Sequence, residues 1–348
     1  MFMTPKKIKT YILTILVIFS ILAFLSCAST QPGWVKNPYV DYNNKDYFAV
    51  VGRGNSYDTA EKDALRRLVS IFNQNVQFDE TVYTSYQQVL RSGGYNDWAE
   101  RTVVDTLITS STGMDSLVGA EFGNRWDDGK DYAALVFLNK VRAIQAYTNL
   151  INANKSIIDN LTNMPQDEKN TLNALARYNF AANAADMISM YSNVLAVIGV
   201  RVEPYKNGNE YRQEVRNISK MIPIGISVDK DMTSQIRGAF TKALNESGFQ
   251  IGGNNPPYFL NVAVFTEAME SDSDSYKYTR ISVSADLVDT NLGTILFPVV
   301  FPSVREGHIS IQTEADKKAY MAMVAEIETE YPQKLDNYLS QQLMPKRY

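Results

Sequence analysis

Histidine and cysteine are nearly missing from this chain: 348 residues hold one of each, His308 and Cys27. A lone Cys excludes an intramolecular disulfide and any cysteine-rich zinc site. A lone His excludes a multi-histidine metal centre and leaves at most one imidazole for proton transfer. Neither sign of charge is in excess, with 34 Lys plus Arg against 38 Asp plus Glu and a net of −4. Binding to nucleic acid needs a basic field, so nucleic acid is not an expected partner. The sequence has no Gly-x-Ser-x-Gly elbow and no Gly-Lys-Ser/Thr phosphate loop, which are the local signatures of serine hydrolases and P-loop enzymes. No cofactor and no metal is expected.

What is present is material for packed cores: 45% apolar residues and 11% aromatic ones, which excludes disorder on composition. The length allows two domains. Residues 1–9 carry Lys6, Lys7 and Lys9 and no acid, and an almost unbroken apolar run, YILTILVIFSILAFL, fills 11–25. Leu25-Ser26-Cys27 follows at once. A basic segment, a short apolar segment and a small residue before the cut describe a secretory signal peptide, and 15 residues are too few for a spanning helix, which needs about 20. The junction resembles a bacterial lipoprotein signal, with Phe24 where Leu is commoner. That resemblance implies cleavage after Ser26 and acylation of Cys27 with palmitate-type chains, which makes the membrane a partner through the lipid. Loss of residues 1–26 leaves 31 Lys plus Arg against 38 acids, a charge of −7. Such a body is not drawn to an anionic membrane, so the lipid is the expected tether. Ala28 is not the Asp associated with inner-membrane retention, which favours the periplasmic leaflet of the outer membrane.

The pattern beyond the anchor predicts an α+β protein: two small sheet-plus-helix domains joined by a helical hairpin. Residues 27–45 read as a lipid-anchored tether, 46–139 as the first domain, 140–200 as the hairpin and 213–348 as the last domain. Asp46–Val51 reads as a strand, and Gly52-Arg53-Gly54-Asn55 as a turn in which Gly supplies left-handed conformations. A helix runs from Asp58 to about Gln74, with Ala60, Ala64, Leu65, Leu68 and Phe72 on one face. Strands are expected at 76–90, 101–111, 114–123 and 131–138, the last after the hairpin signal Asp128-Gly129. Two antiparallel helices fill 140–198, broken at Met164-Pro165-Gln166-Asp167. Pro204–Arg212, centred on Asn207-Gly208-Asn209, reads as a linker. Then come a strand at Ile222–Val228, a helix from Asp229 to Gly248, strands at 258–266, 276–288 and 294–300, and a helix at 314–343.

Pro32-Gly33-Trp34, Tyr47-Phe48-Ala49-Val50-Val51-Gly52-Arg53-Gly54 and the helix with Ala60 and Ala64 resemble the Lpp-twenty lipoprotein family over roughly 32–140. Its fold recurs in the N-terminal domain of the flagellar assembly protein T. In element order, about 220–343 is similar to the N-terminal domain of TolB, a layout shared with the curli assembly protein CsgG and the lipoprotein activators of penicillin-binding proteins. Both resemblances imply envelope scaffold or adaptor roles, and neither supplies catalytic residues.

Other chemistry is weaker than its structural reading. Gly52-Arg53-Gly54 lacks the third Gly of the dinucleotide fingerprint, since position 57 holds Tyr. Glu267, Glu270, Asp272 and Asp274 lack the framework of an EF-hand loop and read as a solvated hairpin tip. Asp127, Asp128 and Asp131 read as turn residues around Gly129. His308 has no ordered nucleophile and acid in sequence beside it. Trp34, Trp98 and Trp126 could stack on sugar rings of the wall, but packing of Trp34 on the first sheet is the simpler expectation. The expectation is therefore a non-enzymatic, lipid-anchored envelope lipoprotein acting as scaffold or adaptor for envelope or flagellar proteins or peptidoglycan. A surface-exposed antigen or adhesin is the alternative, and an envelope hydrolase the third reading.

Overall fold

The computed structural model describes residues 31–73, 80–92, 99–110, 117–269 and 276–341. Cys27, Trp98, Glu270, Asp272 and Asp274 lie outside them. The fold is α+β, with two separate sheets and helices packed on them. The chain forms two compact units, one of residues 1–77, 111–148 and 193–200, the other of 78–110, 149–192 and 201–348.

The first unit holds a short helix α1 (Gly33–Lys36), strand β1 (Tyr47–Gly54), helix α2 (Tyr57–Asn73), and strands β2 (Ala120–Asp127) and β3 (Tyr132–Asn139). The sheet is antiparallel in the order β1-β3-β2. β3 reads YAALVFLN without alternation because both of its faces are covered. Ala133 and Leu135 pack with Trp34 and Val35 of α1. Ala134, Val136 and Leu138, on the opposite face, are buried beneath α2. α2 closes that face with Ala60, Ala64, Leu68 and Phe72, spaced four apart and all buried, and Phe72 meets Phe48 edge-on at 5.3 Å. The expected Asp128-Gly129 hairpin is present, with Gly129 at φ +89° and Asp128 Oδ1 accepting from the backbone of Lys130 and Asp131 at 3.0 and 2.9 Å.

Of the segments expected as strands at 76–90 and 101–111, the described parts are instead helices, α3 (Glu80–Arg91) and α4 (Arg101–Ser110), both in the second unit, while 76–79 and 111 lie outside the described residues. Their β-branched and aromatic residues favour strands on propensity. Their buried residues, Tyr86, Val89 and Leu90, then Val104 and Leu107, have the three- and four-residue spacing of a helix, and packing overrides propensity.

The helix pair is found as α5 (Lys140–Thr162) and α6 (Leu172–Ile198). The Arg177 guanidinium of α6 donates to the carbonyls of Asn160 and Leu161, both at 2.8 Å. It satisfies two of the carbonyls that the last turn of α5 leaves unpaired, and its charge suits that helix end. The expected linker at 204–212 is largely helix: α7 spans Gly208–Lys220. Asn207 is its cap, accepting from the Glu210 backbone while Glu210 accepts from that of Asn207, a complete capping box. Residues that read as a turn are the start signal of a helix. A Cβ at Gly208 would overlap the Asp186 carboxylate, which is paired with Arg212, so a larger residue there makes that side chain shift.

The second sheet contains β4 (Pro223–Asp229), β5 (Gln250–Ile251), β6 (Tyr258–Met269), β7 (Tyr276–Asp289), β8 (Thr294–Val300) and β9 (Val304–Ile309), with helices α8 (Gln235–Glu246) and α9 (Gln312–Gln341). The order is β5-β4-β6-β7-β8, and β9 pairs with the other end of β7. β4 runs parallel to β5 and β6, and the remaining pairs are antiparallel. β5 and β9 escape the sequence pattern: one is two residues long and the other, VREGHI, is too polar. α8 begins six residues later than Asp229 and ends at Glu246, two residues before the expected Gly248, whose φ is +89°.

Candidate binding face

The pair Gly52 and Gly54 is not a turn. Both lie inside β1, opposite Ala134 and Tyr132, and neither has a left-handed φ. Their role is close approach. A Cβ on Gly52 would overlap the Ala60 carbonyl and the Ala64 nitrogen and stand 2.7 Å from Ala64 Cα. A Cβ on Gly54 would strike the Thr59 hydroxyl and stand 2.8 Å from the Ala60 nitrogen. The small residues at 52, 54, 60 and 64 thus let helix backbone lie almost on strand backbone. Arg53 between them ties the tether down: its guanidinium donates to the Val35 carbonyl at 3.1 Å, and its N–H donates to Asp63 at 3.1 Å. Burial alone would raise the Asp63 pKa, but donors from Arg66, the Arg53 backbone and Arg67 outweigh it and hold the carboxyl below its ordinary value.

The remaining sequence candidates disperse. Asp127 accepts from the Gly129 backbone and from the Tyr57 hydroxyl, which raises the tyrosine pKa. Asp128 is lowered by backbone donors of the turn. These acids serve the hairpin, as expected. Trp34 is buried in the first unit's core, and Trp126 packs against the same cluster, so both are committed to packing. His308 faces Lys277 across the β7–β9 ladder, with its Nδ1 buried and unpartnered. Nearby on the same pair, the buried Thr279 hydroxyl meets Asp316 at 2.5 Å and Gln312 Nε2 at 2.7 Å, pinning the start of α9 to β7. Among the described residues no group of three or more His, Cys, Asp or Glu could hold a metal ion.

The surface left uncommitted is one face of the second sheet. Register and pleat divide its residues. Tyr258, Leu260, Val262 and Val264 of β6 and Ile281, Val283, Ala285 and Leu287 of β7 point to one side. There they form a core with Phe240 of α8 and Ala319, Met323, Ile327, Tyr331 and Leu335 of α9. The opposite side carries rows across β6, β7 and β8: Ala263, Ser284, Val300; Asn261, Asp286, Pro298; Phe259, Val288, Ile295. Among the described residues no helix covers this face to the extent that α9 covers the first side: Phe265 is 56% exposed, Ile295 58% and Val300 76%. Antiparallel sheets tolerate one solvated face, and this one exposes aromatic and aliphatic groups among polar ones.

The β8 edge of the sheet is less suited to a partner. The Phe301 N–H donates to Val283 O at 3.0 Å. Hydrogen-bonded and non-bonded pairs alternate along an antiparallel ladder, so Pro298, three residues back and opposite Asp286, has its nitrogen on the outer edge. Proline there removes a donor that an added strand would need. This open face went unread in the sequence because its signal is the alternation itself, which says that one face is polar without saying whether anything covers it.

Among the described residues no helix is long and apolar enough to cross a membrane. No protein-family model matches the chain, and none of the curated proteins matches it. Among solved structures it is similar to the secreted protein HP1454 from Helicobacter pylori, at 14% identity and a TM-score of 0.43 over 82% of this chain and 98% of that one. It is also similar to a minor lipoprotein from Acinetobacter baumannii, at 16% identity and a TM-score of 0.27 over 36% of this chain and 96% of that one. These neighbours are secreted and lipoprotein chains of bacteria.

Proposed function

We propose that the chain is a bacterial cell-envelope lipoprotein, tethered through acylated Cys27 to the periplasmic leaflet of the outer membrane and acting as a non-enzymatic adaptor. The observation that carries this reading is Leu25-Ser26-Cys27 directly behind Lys6, Lys7, Lys9 and the apolar run 11–25. Two or more acyl chains on one residue supply stable anchoring where one gives only marginal binding. The resemblance of 32–140 to the Lpp-twenty family and the layout of 220–343 support an envelope scaffold whose partners are envelope or flagellar assembly proteins or peptidoglycan. The open face of the second sheet supports a docking role. The acids of the first unit, held in turns and by arginines, favour binding over turnover, because carboxylate catalysis needs a converging pair with separated pKa values.

The test is affinity capture from envelope extracts with the intact lipoprotein as bait, paired with a turnover screen on peptidoglycan, esters and phosphoesters. Capture of a discrete envelope partner without turnover is expected. Turnover that disappears in His308→Ala, Asp272→Ala or Asp274→Ala would replace the adaptor by an enzyme.

A further inference from the structure

We propose that Arg280 and Arg305, on the open face of the second sheet, bind a carboxylate carried by a glycan. This deepens the docking reading above and rests on it. The two arginines stand directly opposite each other in the β7–β9 ladder, where like charges repel. Among the described residues their neutralisation is slight. Glu267 reaches Arg280 only at 3.8 Å, with both side chains well exposed, a geometry worth little in water. Arg305 has no carboxylate partner among the described residues; its guanidinium lies 4.3 Å from the centre of the Tyr278 ring. A chain with a net charge of −4 thus places two cations side by side on an exposed face. A planar fork beside a second arginine is the donor set that recognises a carboxylate with two parallel hydrogen bonds.

The surroundings favour a sugar as the bearer of that carboxylate. Tyr276 and Tyr278 lie nearly parallel, 19° apart with ring centres 6.0 Å apart, and Tyr276 is 43% exposed. Gly307 lets Tyr278 lie down on β9, since a Cβ there would be 2.6 Å from the ring. The Arg305 guanidinium lies over Tyr278, so the aromatic surface open to a ligand is the Tyr276 ring, and farther along β7 Ser282 and Ser284 lie on the same face of the sheet. A free anion would use the arginines alone. An acidic peptide would seek a strand edge or side-chain pockets. The exposed Tyr276 ring offers its π face to the C–H face of a pyranose, with the arginine pair four residues farther along β7.

The experiment is calorimetric titration of the full chain in detergent with trigalacturonate. The comparison ligands are the same sugar with its carboxyls reduced to alcohols, a hexaglutamate peptide and inorganic phosphate. Binding of trigalacturonate is expected, at least tenfold weaker in Arg280→Gln, Arg305→Gln and Tyr276→Ala and unchanged in Lys62→Gln, with circular dichroism unaltered throughout. The reduced sugar, the peptide and phosphate should each bind at least tenfold more weakly. The proposal fails if trigalacturonate does not bind, if the arginine variants bind it as wild type does, or if the reduced sugar, the peptide or phosphate matches it. Loss of glycan binding with partner capture retained would overturn this inference alone.

Discussion

Replacing Gly52 by Ala adds one methyl at the closest strand–helix approach in the first unit. The added carbon meets the Ala60 carbonyl oxygen, the Ala64 nitrogen and, at 2.7 Å, Ala64 Cα. All three are backbone atoms, so no rotamer change relieves the overlap. α2 must lift, and with it the row Ala60, Ala64, Leu68 and Phe72, all at most 1% exposed. Overpacking costs about 1–3 kcal/mol, and rigid obstacles place this case at the upper end. The lower chain entropy of Ala in the unfolded state returns about 0.4–1 kcal/mol. The net expectation is a loss of about 2–3 kcal/mol. Urea unfolding followed by tryptophan emission measures it, because Trp34 and Trp126 both lie in the first unit. Adding Ala64→Gly should not rescue stability, since the obstacle is the backbone and not the Ala64 methyl. A loss under about 0.5 kcal/mol, within the range of ordinary surface changes, or rescue by Ala64→Gly, would refute the close-approach account.

Three further outcomes are expected. In the helices of the second unit the Tyr86 hydroxyl donates to Asn154 Oδ1 at 2.7 Å, both residues being fully buried. Tyr86→Phe should therefore cost about 1–3 kcal/mol in denaturant melts, and a cost near zero would contradict that bond. Gly238, inside α8, has nothing within 4 Å of an added Cβ; Gly238→Ala should stabilise by about 0.4–1 kcal/mol, and destabilisation would count against this helix position. The pKa of Asp63 is lowered in the folded chain, so its stabilisation is full above the ordinary carboxylate pKa and is lost as pH falls through the folded value. Asp63→Asn should lower first-unit stability by about 1–2 kcal/mol at pH 7 and flatten its decline below about pH 4, whereas parallel pH curves would contradict the assignment.

Much of the fold was legible because period and punctuation agreed. The row 60, 64, 68, 72, the Asp128-Gly129 turn and the break at Met164–Asp167 each fall where the structure needs them. The misses share a cause, which is that local chemistry has two structural uses. Thr-Val-Tyr and Thr-Val-Val favour strands, yet Tyr86, Val89, Leu90, Val104 and Leu107 are buried on helices. Asn207-Gly208 serves a turn or a helix cap equally. Gly52 and Gly54 fit a turn or a tight contact, and only the atoms of Ala60 and Ala64 decide. The facing of Arg280 and Arg305 follows from the pairing of β9, a strand too polar to be read before its register is known.

The central claim, anchoring through Cys27, is tested most directly by the mass of the N-terminal peptide of the protein purified from cell membranes. The account predicts a peptide beginning at Cys27, heavier than its sequence by two or three acyl chains and a glycerol, and absent from a Cys27→Ser variant that stays unprocessed. A peptide beginning at Met1, or one beginning at Cys27 without added mass, would contradict it.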